Sequence, residues 1–172
     1  MELDRSGNSD KMNIISIRSA VSEKRSMKKE ITISAMSKPH KTTVPYLPER
    51  YAWVDDYCRK KQGCVSEYKR EWDVTRYMLN GKFFVVIMQN PQKESLITLK
   101  LEPNYGRLLR MNHKEVTPGY HMNKLHWNSI SLDYDFSDDL LEELIDESYN
   151  ILFKSLSKKV QQAILGSKPS CR

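Results

Sequence analysis

The feature that most constrains the fold is a tight-turn signal, Asn80-Gly81, between two strand-like runs. Asn-Gly favours a two-residue hairpin turn, so the flanking runs Val74–Leu79 and Lys82–Met88 are predicted to pair antiparallel. The second run is apolar on both alternating sets of positions, which indicates a central strand. Asn90-Pro91 turns the chain, and residues 95–101 supply a third strand. The chain is therefore built around an antiparallel sheet.

Helices flank these strands. A first helix is expected from Pro48, with Tyr51, Val54 and Cys58 on its buried face and Gly63 as its stop. A short helix follows Glu102-Pro103. Strand-like segments begin at Val116 and Trp127, and a long helix with an acidic outer face begins after Ser137, a good N-cap. This order, α-β-β-β-α-β-β-α, predicts a two-layer α+β fold with a mostly antiparallel sheet of about five strands, and one sheet face partly open.

In the third strand, Ile97 and Leu99 are expected to face the core, while Thr98 and Lys100 face outward. The same alternation places Ile130 and Leu132 on one side of the strand that starts at Trp127. Trp127, Ser129 and Ser131 then lie on the other side. By this pattern Trp127 could join Lys100 and Thr98 on the open face of the sheet.

Charge is distributed unevenly along the chain, whose net charge is +6. Residues 1–48 hold nine Lys/Arg against five Asp/Glu, residues 49–133 fourteen against ten, and residues 134–172 five against seven. We expect residues 1–47 to be a basic, mostly flexible extension and linker, 48–162 to form the domain, and 163–172 to be a C-terminal tail. A natural start at Met36 is an alternative interpretation of the first segment.

Several functional classes lack support in the sequence. Three cysteines without a Cys-x-x-Cys pair indicate free thiols in a cytoplasmic protein, with no structural zinc site. Neither a signal peptide nor a membrane-spanning run is recognisable. No phosphate-binding loop, nucleophile elbow or metalloprotease helix occurs, so no catalytic residue and no cofactor are predicted. His121 and His126 are five apart, a spacing that suits neither a helix face nor a strand face for metal binding.

The most distinctive run in the chain is Val116-Thr-Pro-Gly-Tyr-His-Met-Asn-Lys-Leu-His-Trp-Asn128. Together with residues 81–84, 144–149 and 156–159, it resembles the signature of the MmcQ/YjbR family over about Pro48 to Val160. The resemblance implies a bacterial, YjbR-like domain related to the frataxin-like and secretion-chaperone-like folds, sometimes called a double wing. It also implies DNA binding. Leu125 departs from the family pattern, because relatives often have a basic residue there.

Eight residues are the candidate nucleic-acid contacts. A lysine could neutralise phosphate, Asn and His could donate hydrogen bonds, and aromatic rings could stack on bases. The alternative is that Tyr120 and Trp127 are packing residues and that His126 satisfies buried carbonyls. The candidates are Lys124, His121, His126, Asn123, Asn128, Trp127, Tyr120 and Lys100.

The sequence therefore favours a small, non-enzymatic DNA-binding protein that contacts DNA mainly through electrostatics, with modest sequence specificity. The alternative function is a protein-interaction module, chaperone-like or adaptor, that uses the exposed sheet face or its edge strand. No membrane partner is expected, and a monomer is favoured.

Overall fold

A computed structural model describes residues 44–166, and the expectations for residues 1–43 and 167–172 lie outside this range. The described residues form a six-stranded sheet in the order β1-β2-β3-β4-β6-β5, with every neighbouring pair antiparallel. The strands are β1 (Cys64–Lys69), β2 (Val74–Leu79), β3 (Lys82–Gln89), β4 (Ser95–Lys100), β5 (Val116–Pro118) and β6 (Trp127–Ser131).

Four α-helices accompany the sheet: α1 (Trp53–Arg59), α2 (Pro103–Asn112), α3 (Asp138–Ser155) and α4 (Lys158–Gly166), and a 3-10 turn at Glu49–Tyr51 precedes α1. Two N-caps follow the sequence pattern. The Ser137 hydroxyl accepts a hydrogen bond from the Leu140 N–H, and the Glu102 carboxylate accepts one from the Tyr105 N–H.

The predicted α+β class is confirmed, with six strands rather than about five. The additional strand is β1, between α1 and the predicted hairpin. Its residues are mostly exposed or half-buried, and only Cys64 is buried. A strand that buries so little has no strong alternation of apolar and polar residues, which is why the sequence did not reveal it.

The main core lies between the helices and one face of the sheet. Its largest side chains are Tyr51, Tyr77, Phe84 and Phe136, all fully buried, and Val44 and Leu47 pack into the same cluster ahead of α1. The fully buried Ser148 connects α3 to two strands of the sheet through hydrogen bonds. Its hydroxyl donates to the Phe84 carbonyl of β3 and accepts from the Lys100 N–H of β4 at 2.9 Å.

A second, smaller apolar cluster lies on the opposite face of the sheet. Its buried members are Val74, Val86, Met88 and Leu96, and Tyr120 and Met122 of the loop before β6 pack against them. Thr98 was expected to face outward on this side. Thr98 does lie on this side, but it is fully buried rather than exposed, and it shares a 2.7 Å hydrogen bond with Ser129. We call this side the open face, although the loop before β6 covers part of it. No helix within residues 44–166 has the length and apolar character needed to cross a bilayer.

Candidate nucleic-acid interface

A groove of about 760 Å³ occupies the open face. It lies between the β1–β2 turn, the β3–β4 turn and the loop before β6, and it is of a size that suits a small organic group. Aromatic and aliphatic side chains form most of its wall, with a few polar groups among them. The main side chains that line it are Trp72, Asp73, Arg76, Phe83, Val86, Met88, Tyr120, His121 and Met122.

Arg76 is the principal cation of the groove, and it is held between two aromatic rings. Its guanidinium carbon lies 5.3 Å from the centre of the Trp72 ring and 5.0 Å from that of Phe83. Only 12% of the side chain is exposed. One terminal nitrogen donates to Glu67, and among the described residues Nε is enclosed without a hydrogen-bond partner. The result is a partly desolvated cation that retains unused N–H donors.

The strand register explains how Arg76 reaches this position. Arg76 lies opposite Val86, which lies opposite Thr98, which lies opposite Ser129, so the four residues form one row across β2, β3, β4 and β6. Side chains in such a row project from the same face of the sheet. The row places a charged side chain directly beside the second apolar cluster, which is an unusual location for an arginine.

Asp73 is the acidic residue among the described side chains that line the groove. Its carboxylate accepts hydrogen bonds from the hydroxyls of Tyr46 and Tyr68. These two bonds lower the pKa of Asp73, so its carboxylate is ionised at neutral pH. Asp73 also adopts a left-handed backbone conformation, with a φ of 54°, at the turn that exposes Trp72. Trp72 is 60% exposed, a large fraction for an indole.

The loop before β6 is fixed against the sheet by close backbone contacts. The Gly119 N–H donates to the Trp127 carbonyl at 2.7 Å, and a Cβ atom at Gly119 would lie only 2.6 Å from the Trp127 Cβ. Only glycine permits this approach. The Tyr120 N–H then donates to the Ser129 hydroxyl at 3.0 Å. His121 adopts a left-handed backbone conformation, with a φ of 54°, and its side chain lines the groove. The centre of its ring is 4.1 Å from that of the Tyr120 ring.

Most sequence-predicted contacts lie on or near this face. Tyr120 and His121 line the groove itself. Lys100 and Trp127 are direct cross-strand partners, two residues along their strands from Thr98 and Ser129, and both are half-buried. The register thus confirms the predicted placement of Trp127 on the same face as Lys100 and Thr98.

The remaining candidates occupy the loop before β6 and the start of that strand. Lys124 and Asn123 are exposed, and the Asn123 side-chain oxygen accepts from the Leu125 N–H at 2.9 Å. His126 is half-buried, and its carbonyl accepts from the Leu101 N–H. Of this group, Lys124 and Asn123 are the residues that an external ligand can reach most directly.

Asn128 is a correction to the expected set. It is fully buried and lies opposite Leu99, on the helix-covered face of the sheet. Its side-chain oxygen accepts from the Arg110 guanidinium of α2. A buried amide that is already hydrogen-bonded inside the fold cannot contact nucleic acid, so Asn128 has a structural role.

The described residues carry no net charge, because residues 44–166 contain seventeen Lys/Arg and seventeen Asp/Glu. The whole excess of +6 lies in residues 1–43 and 167–172. At the groove, two negative charges lie near the positive charge of Arg76: its ion-pair partner Glu67 and the groove residue Asp73. No group of three His, Cys, Asp or Glu side chains in residues 44–166 is arranged to hold a metal ion.

Sequence reasoning missed Trp72, Arg76 and Phe83, which form the centre of the groove. Two signals were available. Trp72 is a large aromatic residue in the otherwise polar stretch Lys69-Arg-Glu-Trp-Asp73, where it has little to pack against. Arg76 is a charge within a strand that pairs with β3, whose residues 83–88 are all apolar.

Comparison with known proteins finds one matching family model and several relatives. The family model described as YjbR matches residues 59–151. Uncharacterized protein YjbR of Escherichia coli K12 is 30% identical over 93 residues, which cover 54% of this chain and 78% of the relative. Uncharacterized protein YbdF of E. coli O157:H7 is 33% identical over 94 residues, 55% and 75% of the two chains. Uncharacterized protein YyaQ of Bacillus subtilis is 30% identical over 108 residues, 55% and 91%.

Two solved structures share the fold. Deinococcus radiodurans protein DR2400, whose structure is described as a DUF419 domain, superposes with a TM-score of 0.59 at 23% identity, over 69% of this chain and 89% of its own. A Pseudomonas syringae protein superposes with a TM-score of 0.52 at 24% identity, over 58% and 95% of the two chains. At these identities the likeness concerns the fold alone.

Proposed function

The chain belongs to the YjbR family, and we propose that it is a non-catalytic DNA-binding protein that holds single-stranded DNA on the open face of its sheet. The observation that carries this proposal is the groove around Arg76, in which a guanidinium lies between the Trp72 and Phe83 rings beside Tyr120 and His121. Aromatic rings and arginine on an accessible sheet face are the elements with which proteins stack unpaired bases.

The charge of the groove favours a base over a phosphate as its occupant. Arg76 is balanced by Glu67, and Asp73 adds a further negative charge, so a phosphate group placed there would be repelled. A nucleobase is planar, uncharged and rich in hydrogen-bonding groups, and it matches a wall that is mostly aromatic and aliphatic. The bases of a duplex are stacked and paired, so only a single strand can offer one to the groove.

The DNA backbone then has to lie outside the groove. Lys100 is on the same face, two residues along β4 from the Arg76 row, and Lys124 is exposed in the loop before β6. Because residues 44–166 are electrically neutral overall, long-range attraction of phosphates depends mainly on the N-terminal segment, residues 1–43, which holds +4 of the +6 excess. In this arrangement the sheet supplies base contacts and the lysines supply phosphate contacts.

Fluorescence anisotropy tests the proposal. A labelled mixed-sequence 12-nucleotide strand and its duplex are titrated with the full chain at low and near-physiological salt. We expect saturable binding of the single strand, about tenfold tighter than binding of the duplex, which offers no unstacked base. Charge reversal of Lys100 and Lys124 to Glu should weaken binding, whereas Lys82→Glu, at the exposed β2–β3 turn, should not. Equal or tighter binding of the duplex would contradict the proposal.

A second candidate function is recruitment of a protein at the β1 edge. Within residues 44–166, β1 pairs with β2 alone, and Val65 and Tyr68 are 58% and 42% exposed, which suits the addition of a partner strand. Ser66→Pro should block such pairing because proline has no N–H to donate. Recovery of one protein that survives nuclease treatment and disappears with Ser66→Pro would favour this function. Failure of the substitution to affect recovery would argue against it.

A further inference from the structure

The polar groups of the groove have an arrangement that goes beyond general base stacking. Arg76 presents N–H donors, and Asp73 presents an ionised carboxylate, which only accepts hydrogen bonds. Both side chains are held in place, Arg76 by the Trp72 and Phe83 rings and by Glu67, and Asp73 by the hydroxyls of Tyr46 and Tyr68. The groove therefore offers a fixed donor and a fixed acceptor on one apolar wall.

Each of the two groups retains hydrogen-bonding capacity. The only hydrogen bond described for the Arg76 guanidinium is the one to Glu67, so other N–H groups remain for a ligand. Each carboxylate oxygen of Asp73 accepts one tyrosine hydroxyl, and each oxygen has a further lone pair. A partly desolvated arginine gains more from an added acceptor than an arginine in water does, because fewer water contacts are lost.

We propose that the groove selects guanine over adenine, with Arg76 donating to the O6 and N7 acceptors and Asp73 accepting from the N1 and N2 donors. Contact between arginine and the O6 and N7 atoms is the commonest specific arginine–base contact. Adenine has a donor amine where guanine has O6, and an acceptor nitrogen where guanine has N1–H. It would set donor against donor at Arg76 and acceptor against acceptor at Asp73.

The two purines have nearly the same ring area, so stacking on Trp72 contributes almost equally to both. A difference in affinity between guanine and adenine therefore reports hydrogen bonding rather than stacking. This inference rests on the proposed function, since it requires that a single strand enter the groove at all. It adds a base preference to a mode of binding that would otherwise tolerate every base.

The test compares two labelled nine-nucleotide strands, one entirely of deoxyadenosine and one with a central deoxyguanosine, by anisotropy with the full chain. We expect the guanine-containing strand to bind roughly tenfold more tightly. In Arg76→Met the preference should fall to within about twofold, and in the matched control Arg107→Met, at an exposed position on α2, it should persist. Circular dichroism establishes that each variant is folded.

A second variant protects the test against loss of folding in Arg76→Met. Arg76→Lys keeps the positive charge but lacks the planar array of donors, so it should lose the guanine preference while it still binds the all-adenine strand. Equal affinity of the wild-type chain for the two strands would overturn the inference. So would a preference that survives in both Arg76 variants. Absence of binding to either strand would contradict the proposed function itself, and the base preference with it.

Discussion

Replacement of Trp72 by alanine removes a large exposed ring of the groove and should leave the rest of the fold in place. Trp72 lies in the β1–β2 turn, is 60% exposed, and belongs to neither of the two buried apolar clusters. Its described ring contact is the stacking on the Arg76 guanidinium at 5.3 Å. The substitution therefore separates binding from stability more cleanly than a change at Phe83 or Tyr120 would.

The expected magnitudes follow from these contacts. Stacking of one base on an aromatic side chain contributes about 1–3 kcal/mol, so loss of the Trp72 ring should raise the Kd for a single strand roughly 5- to 150-fold. A cation–π contact contributes about 0.5–1 kcal/mol at an exposed site and about 2 kcal/mol when it is desolvated, and here an exposed ring meets a partly desolvated cation. The free energy of unfolding should accordingly fall by no more than about 2 kcal/mol. Trp72→Phe should restore much of the affinity, since a smaller ring still offers a stacking surface.

Anisotropy with a 12-nucleotide strand measures the first quantity, and urea denaturation measures the second. Tyr134→Ala is the matched control, because Tyr134 is also a large aromatic residue, 51% exposed, and does not line the groove. It should leave the Kd unchanged. If Trp72→Ala binds as tightly as the wild-type chain, or if Tyr134→Ala weakens binding equally, the reasoning that places the base against Trp72 is refuted.

Three further results are expected. Ser148→Ala should lower the free energy of unfolding, measured by urea denaturation, by about 2–4 kcal/mol, because the Phe84 carbonyl and the Lys100 N–H lose a buried partner. A loss below about 1 kcal/mol would count against the bridging role of Ser148. Burial raises the pKa of Cys64 from 9.0 to about 11, so the folded state prefers the neutral thiol, and the free energy of unfolding should fall as pH rises from 9 to 11. Cys64→Ala should make this fall less steep, leaving the part due to Cys58, whose pKa burial also raises. An unchanged slope in Cys64→Ala would contradict the prediction. Replacement of four cations of the N-terminal segment by glutamine (Lys24, Arg25, Lys28 and Lys29) should reduce the slope of log Kd against log salt by up to about 3, whereas an identical slope would exclude that segment as the source of phosphate contacts.

The elements that bury a clear pattern could be predicted from the sequence. The long helix α3 begins directly after Ser137 as expected, and the hairpin around Asn80-Gly81 pairs as expected. In both, one local signal agrees with a continuous apolar pattern. The helix α4 was not predicted. It spans the end of the expected domain, 48–162, and the start of the expected tail, 163–172, and none of its residues is buried, so it has little apolar pattern to reveal it.

The site was only partly predictable because it is assembled from segments far apart in the chain. Alternation correctly placed Lys100 and Trp127 on the open face, and the structure adds that they are cross-strand partners. Alternation could not show that Trp72, Arg76 and Tyr120 line one groove, because their proximity depends on the loop before β6 folding back over the sheet. Asn128 was misassigned for a different reason: the alternation that put Trp127 and Ser129 on the open face already puts Asn128 on the opposite face, where it lies beneath α2.

The central claim is that single-stranded DNA contacts the open face at Trp72, and the indole N–H signals of the tryptophans test it most directly. The chain has three tryptophans, and Trp53 lies on α1, away from the groove, so its signal is an internal reference. In an NMR titration with a 12-nucleotide strand, the Trp72 indole signal should shift and saturate with the Kd found by anisotropy, while the Trp53 signal stays in place. A strand that binds with the same Kd and leaves the Trp72 signal unmoved would contradict the account.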